Sequence, residues 1–287
     1  MNRYKGIACI IFSAFCFALM NVCVRLAGDV PSIQKSFFRN LIAFIIAAFI
    51  LWLQKAPLRC QPGNLKFLLL RSAFGTVGIL ANFYAVDHLA LADASMLNKL
   101  SPFFALLFSI WILKERATIA QLLGVAGAFV GALFILKPSF ANANLFPAMI
   151  GFIGGLSAGM AYTMVRLLGE RNEQTPLIIC FFSAFSCLIV LPTTFLNFHP
   201  MTLQQTVTLL LAGTAAAGGQ FGITAAYCYA PAREISVYDY SMILFAAIFG
   251  YFIFDQIPDI YSVIGYVIIC GIAVWMFQYN KKHAPAT

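Results

Sequence analysis

VRLAGD at residues 24–29 and VRLLGE at residues 165–170 spell nearly the same six letters, 141 residues apart in a chain of 287. Sliding the sequence on itself by 141 positions brings further landmarks into register without a gap. Leu68-Leu69-Leu70 meets Leu209-Leu210-Leu211, Asp93 meets Glu234, and Ser95 meets Ser236. Phe104-Ala105 meets Phe245-Ala246, Phe108 meets Phe249, and Gly124 meets Gly265. A self-match at one fixed offset is the mark of a structural unit copied once.

Composition says what the unit is made of. The hydrophobic set makes up 62% of the chain and charged residues only 10%, with a mean hydropathy of +0.88. A soluble domain carries roughly 25% charged residues, so this is the composition of a membrane protein. A helix crossing the hydrocarbon core needs about 20 apolar residues, because roughly 30 Å must be covered at about 1.5 Å per residue. Ten segments qualify: 6–26, 33–53, 66–86, 91–113, 118–136, 147–168, 176–196, 203–226, 234–254 and 259–279. Runs such as LIAFIIAAFILWL are continuously apolar, which excludes the alternating ten-residue strands of a barrel. The first segment follows Met1-Asn2-Arg3-Tyr4-Lys5 but is too long for a signal-peptide core and lacks a small-residue cleavage site, so it counts as a span.

The expected fold class is therefore all-α integral membrane, with ten transmembrane helices as two five-helix repeats, residues 1–139 and 140–287. Five is odd, so the second copy enters the bilayer from the opposite side. The halves are then inverted about an axis in the membrane plane, an architecture of transporters. Lys and Arg collect on the cytoplasmic side. An inside N-terminus places Arg3, Lys5, Lys55, Arg59, Lys66, Lys114, Arg116, Arg166, Arg171, Arg233, Lys281 and Lys282 in the cytoplasm, against Arg25, Lys35 and Lys137 outside. Both termini are expected there, in the cytoplasmic (inner) membrane. The net charge of +8 thus reflects topology, and nucleic acid is not an expected partner.

The connections are short, and neither a phosphate-binding GxxxxGK[ST] nor a metal-binding HExxH is present. The chain is not expected to be an enzyme, nor to carry a cofactor or metal. Its eight cysteines form no CxxC pair, and Cys9, Cys16 and Cys23 recur every seventh residue, as small packing residues do. Gly127 and Gly131, and Gly151, Gly155 and Gly159, offer faces for close helix approach. The arginines of the two sextets, Arg25 and Arg166, are read as snorkelling anchors at helix ends, with a gate contact as the alternative.

The stretch 84–135, YAVDHLALADASMLNKLSPFF through GALFI, and its counterpart 225–268, AAYCYAPAREISVYDYSMILF through IGYVI, resemble the EamA family of the drug/metabolite transporter superfamily. The marks are Lys114-Glu115-Arg116, Gln121, Gly124 and Phe37-Phe38-Arg39. Departures are Asp255-Gln256 opposite Lys114-Glu115 and Cys180 opposite Arg39, which break any symmetric role for Glu115 or Arg39. The resemblance implies ten helices with a central cavity between the two five-helix halves, and alternating access for small organic solutes such as amino acids, metabolites, nucleotide-linked sugars or S-adenosylmethionine. The YDYS stretch is similar to the last group.

Polar side chains at membrane depth are costly, so each marks a cavity or a partner. Ser95, Asn98 and Lys99 in span four, and Ser236, Asp239 and Tyr240 in span nine, occupy matching positions, each trio on one helical face. Lys99 and Asp239 approach the midplane from opposite sides, so they attract each other directly or through a zwitterionic solute; a structural ion pair is the competing reading. Asn21 and Tyr162, Asn82 and Tyr84, and Gln220 and Tyr227 are the further candidates for solute contact, each also readable as a helix–helix hydrogen bond. Arg39 is either a carboxylate or phosphate clamp or an anchor. The expected activity is secondary active transport of a small polar organic solute, an amino acid or related metabolite. Carriage of S-adenosylmethionine or a nucleotide-type solute is the alternative, and an intramembrane enzyme or non-transporting scaffold a remote one. Expected partners are that solute and the lipid bilayer, and the expected state is a monomer or weak dimer.

Overall fold

A computed structural model describes residues 3–55, 59–88, 97–136, 145–255 and 259–282. Its long helices are α1 (Arg3–Leu26), α2 (Ser32–Leu53), α3 (Leu65–His88), α4 (Ser101–Ile112), α5 (Ile119–Leu136), α6 (Leu145–Glu170), α7 (Thr175–Leu196), α8 (Leu203–Tyr229), α9 (Ser241–Phe254) and α10 (Ile260–Lys282). Eight helical segments are long and apolar enough to cross a membrane, with Ala232–Phe254 taken as one; α4 and α5 are shorter apolar helices. Large apolar side chains including Phe12, Phe49, Trp52, Trp111, Leu188, Phe195, Phe252 and Val267 are exposed. On a soluble protein such a surface would aggregate, whereas against lipid tails it is the expected exterior.

Helices from the first half of the chain pack mainly on helices from the second. α1 lies against α8 and α9, α3 against α6 and α7, α2 against α7 and α8, α4 against α6, and α5 against α10. Lipid offers little hydrophobic drive for such pairing, so small residues must let the backbones approach. Gly222 on α8 is close enough to α1 that a Cβ there would stand 2.8 Å from the Cys9 carbonyl oxygen. On the α3–α6 seam a Cβ at Gly78 would lie 3.3 Å from Ala158 N. Gly127 and Gly131 face Ile272 and Ile268 of α10, and Gly151, Gly155 and Gly159 face Leu97 and Phe104, so these glycines line helix seams as their spacing predicted. All eight cysteines are free thiols; Cys16, Cys23 and Cys180 are buried, Cys9 and Cys187 half-buried.

Arg3 donates to the Asn280 carbonyl and Gln121 Nε2 to Asn280 Oδ1 at 3.1 Å, so the start of α1 and the end of α10 share one end of the bundle, here the terminal end. The two copies of the sextet differ in structure. In the first, α1 stops at Leu26, Gly28 takes a left-handed φ of 63°, and exposed Arg25 lies over the Phe254 ring, 4.4 Å from its centroid. In the second, α6 continues to Glu170 with Gly169 pressed on α8, where a Cβ would stand 2.6 Å from Cys228 Cα. Arg166 is only 6% exposed. It pairs with Glu115 at 3.0 Å and Glu170 at 2.9 Å, so the anchor reading fails for Arg166. Identical letters meet different neighbours, because α6 packs on α8 whereas α1 and α3 make no comparable contact among the described residues.

Two of the expected spans are interrupted at matching depth. In span four, residues 97–98 are helical, Lys99 and Leu100 form a turn, and α4 begins at Ser101 with Pro102 in its first turn. Pro102 has no N–H and its ring collides with a preceding carbonyl in a continuous helix, which explains the break. In span nine, Pro231 opens a short helix, Ala232–Ile235, followed by a 3-10 segment, Ser236–Tyr240, before α9. The expectation of one α-helical face for Ser236, Asp239 and Tyr240 is corrected accordingly. At about 3.0 residues per turn Ser236 and Asp239 eclipse each other, and Tyr240 points elsewhere.

Candidate functional site

The two interruptions meet. Lys99 Nζ lies 3.3 Å from Asp239 Oδ2, and 3.4 Å from both the Asp239 carbonyl oxygen and Met242 Sδ. Tyr240 Oη donates to the Lys99 carbonyl at 2.9 Å, so each broken segment holds the other. Lys99 is 8% exposed and Asp239 6%. Charges this deep need partners, and these two have each other.

Aromatic hydroxyls surround the pair. Tyr162 of α6 stacks on Tyr227 of α8 with centroids 5.0 Å apart and planes 12° from parallel. Both lie within electrostatic range of Asp239, and Tyr240 follows it directly in the chain. Tyr162 also lies within electrostatic range of the guanidiniums of Arg39 and Arg71, which repel each other. Arg39 is 5.8 Å from the Phe17 ring centroid, and Arg71 4.1 Å from that of Phe182. Among the described residues, Lys99, Arg39 and Arg71 oppose one carboxylate here, that of Asp239, an excess of two positive charges.

Other expected site residues stand apart. Asn98 donates to Asn82 Oδ1 at 2.9 Å, tying span four to α3. Tyr84 stacks on His88 at 4.0 Å and meets Phe146 edge-on at 6.3 Å, which engages it at the far end of α3. Gln220 reaches Thr224 of its own helix at 3.4 Å. Asn21, which matches Tyr162 in the repeat, is exposed. Ser95 lies outside the described residues. Arg71 is the member sequence reasoning passed over; its signal was a charged residue inside span three.

The terminal end is shut. Besides the Arg166 pairs, Arg166 Nη1 reaches the Cys228 carbonyl at 3.4 Å. Glu173 Oε2 accepts from Asn64 Nδ2 at 2.8 Å and from Gln61 N at 3.1 Å. Glu115 sits in the loop between α4 and α5. Burial pushes its carboxyl above the usual range, while Arg166 pulls it the other way by hydrogen bonding and charge.

The EamA-like transporter family model matches twice, over residues 4–137 and 145–278. The pseudopaline exporter CntI of Pseudomonas aeruginosa is 31% identical over 280 residues, covering 96% of this chain and 97% of that one. The riboflavin transporter of Brucella anthropi is 24% identical over 278 residues, covering 92% and 95%. Human solute carrier family 35 member G1 is 23% identical, covering 91% and 75%. A crystal structure superposes with a TM-score of 0.82 at 14% identity, covering 98% of this chain and 99% of that one, which speaks to fold alone. Two family matches that together span nearly the whole length, joined to a multi-pass helical bundle, settle the assignment: the chain belongs to the EamA-like transporter family.

Proposed function

We propose that the chain is a secondary active transporter carrying a small polar organic solute, an amino acid or related metabolite, across the cytoplasmic membrane by alternating access, with both termini in the cytoplasm. Residues 1–139 and 140–287 act as inverted halves, and the solute sits between the broken spans, near Lys99, Asp239, Tyr240, Tyr162, Tyr227 and Arg39. Asn21, Asn82, Asn98, Ser95, Tyr84 and Gln220 serve as contacts along its path.

One observation carries this reading. Exchanging α1–α5 for α6–α10 turns the α1–α8 contact into α6–α3, α1–α9 into α6–α4 and α2–α8 into α7–α3, and each of these pairs is in contact. The α2–α7 and α5–α10 contacts map onto themselves. The exceptions are α6–α8 and the weaker α4–α5, whose images α1–α3 and α9–α10 make no comparable contact among the described residues. A bundle whose halves exchange most of their contacts in this way, with its terminal end tied by the Arg166 and Glu173 contacts, fits an alternating-access carrier in one of its two states. The relatives named for export of pseudopaline and transport of riboflavin fit a carrier of small solutes.

The test is uptake by purified full-length protein in liposomes, with a panel of amino acids, riboflavin, nucleotides, amines and S-adenosylmethionine. Saturable uptake of at least one solute, lost in both Lys99→Ala and Asp239→Ala, is expected. Uptake of none, or uptake indifferent to both changes, discards the proposal.

A further inference from the structure

Among the described residues, Arg39 and Arg71 sit in the bundle without a counter-charge of their own. Arg71 is 2% exposed, six residues into α3, and its Nε has no hydrogen-bond partner. Among the described residues neither guanidinium has an ion pair; their neighbours are the Phe182 and Phe17 rings, the Tyr162 hydroxyl and each other. The acid on the far side of Tyr162, Asp239, is already taken by Lys99. An unpaired buried cation such as Arg71 is among the costlier things a fold can hold, and the half-buried Arg39 within electrostatic range of it adds to that cost. Room is kept for one of them: Gly75 lies one turn along α3, and a Cβ there would strike Arg71 Nη1. The first repeat alone carries these charges, since Cys180 and Ala212 stand at the matching positions of the second.

We infer that Arg39 and Arg71 form the anion-binding half of the solute site, so that the carried solute bears a carboxylate or phosphate group held between the two guanidiniums and the Tyr162 hydroxyl. This rests on the transporter reading above and gives it a substrate class. Guanidinium is planar, permanently charged and weakly hydrated, and it takes carboxylate or phosphate oxygens through paired N–H donors, which suits a site that must strip water from an anion at mid-membrane. The excess of two positive charges favours a solute of net negative charge over a cationic one. The Lys99–Asp239 pair then offers a neutral, hydrogen-bonding wall to the rest of the molecule.

The experiment follows thermal melting of the full-length protein in detergent, with sodium chloride holding ionic strength constant, while inorganic phosphate, succinate or spermidine is added. Phosphate and succinate separate phosphate-bearing from carboxylate-bearing solutes. The expected result is a rise of about 3 °C in the melting midpoint with at least one of the two anions at saturating concentration, and none with spermidine. Arg39→Gln and Arg71→Gln should each lose most of that rise, and Arg71→Lys should keep part of it. Where Arg71→Gln yields no folded protein, Arg39→Gln and Arg71→Lys carry the same test. A wild type unmoved by both anions, or a rise retained in the glutamine variants, overturns the inference. Liposome uptake by the same proteins separates this from the transporter reading. Flux of a neutral or cationic solute that survives both glutamine changes leaves the transporter standing without the anion site. Anion-specific stabilisation with no flux of any solute keeps the anion site and removes the transporter.

Discussion

Breaking the Lys99–Asp239 pair from one side should cost far more than removing it whole. At an effective dielectric near 20, unit charges 3.3 Å apart attract by about 5 kcal/mol, a gain largely offset by the water both lose. Deleting one partner forfeits the attraction and leaves the other charge dry, for which about 3–5 kcal/mol is expected. The two single changes are not equivalent. Asp239→Leu leaves Lys99, Arg39 and Arg71 with no carboxylate among them, whereas Lys99→Met leaves Asp239 facing two arginines across Tyr162. Asp239→Leu should therefore be the worse, lowering the melting midpoint in detergent by about 10 °C or more. The double variant, Lys99→Met with Asp239→Leu, should melt within a few degrees of wild type. Melting of all four proteins, followed by liposome flux of the two most stable, is the assay. An Asp239→Leu protein as stable as wild type, or a double variant no better than its worse parent, would refute the placement of an isolated pair at this depth. A stable double variant that still transports would make the pair scaffold.

Three further outcomes are expected. Gly169→Val should wedge α6 from α8 and raise maleimide labelling of Cys228 several-fold, because a Cβ at 169 meets the Cys228 backbone. Asn40 donates to Ser186 Oγ at 2.9 Å inside the α2–α7 seam, so Asn40→Leu should lower stability by about 1 kcal/mol, read from the melting midpoint. Burial holds the Glu115 carboxyl above its ordinary range at the shut end; water would restore that range were this end to open, so the shut state binds the proton more readily. Acidification from neutral pH towards the ordinary carboxylate range should thus favour closure, and this contribution is lost as pH rises through the elevated value. Spin labels at positions 171 and 229 should draw together at low pH, and Glu115→Gln should abolish the change.

How far the letters lead depends on what kind of cause shapes each element. Long apolar runs with short connections fix the helices of α1, α2 and α6–α8 by lipid alone, and their bounds in the structure fall within three residues of the expected spans. Approach of Lys99 and Asp239 was readable too, since each is an unaffordable charge with one opposite charge at matching depth. The break in span four had a visible cause in Pro102. The 3-10 turn before α9 had none, because no proline or glycine lies between Ser236 and Tyr240 and only packing selects it. Arg166 could not be told from Arg25 by its neighbours in sequence, because its burial depends on which face of the bundle is shut. Arg71 went unnoticed for a related reason: depth in a helix is legible, but the absence of a partner is a property of three dimensions.

The unlike fates of the two sextets divide what mutations can do. A change at Arg166 or Gly169 disturbs the state seen here, in which that copy is clamped, while the same change at Arg25 or Gly28 falls on exposed residues outside that clamp. For a carrier of this design, lesions in the two copies would strike opposite strokes of one cycle. Variants would then sort by the direction of flux they slow, even though a plain alignment of the halves would score them as the same substitution.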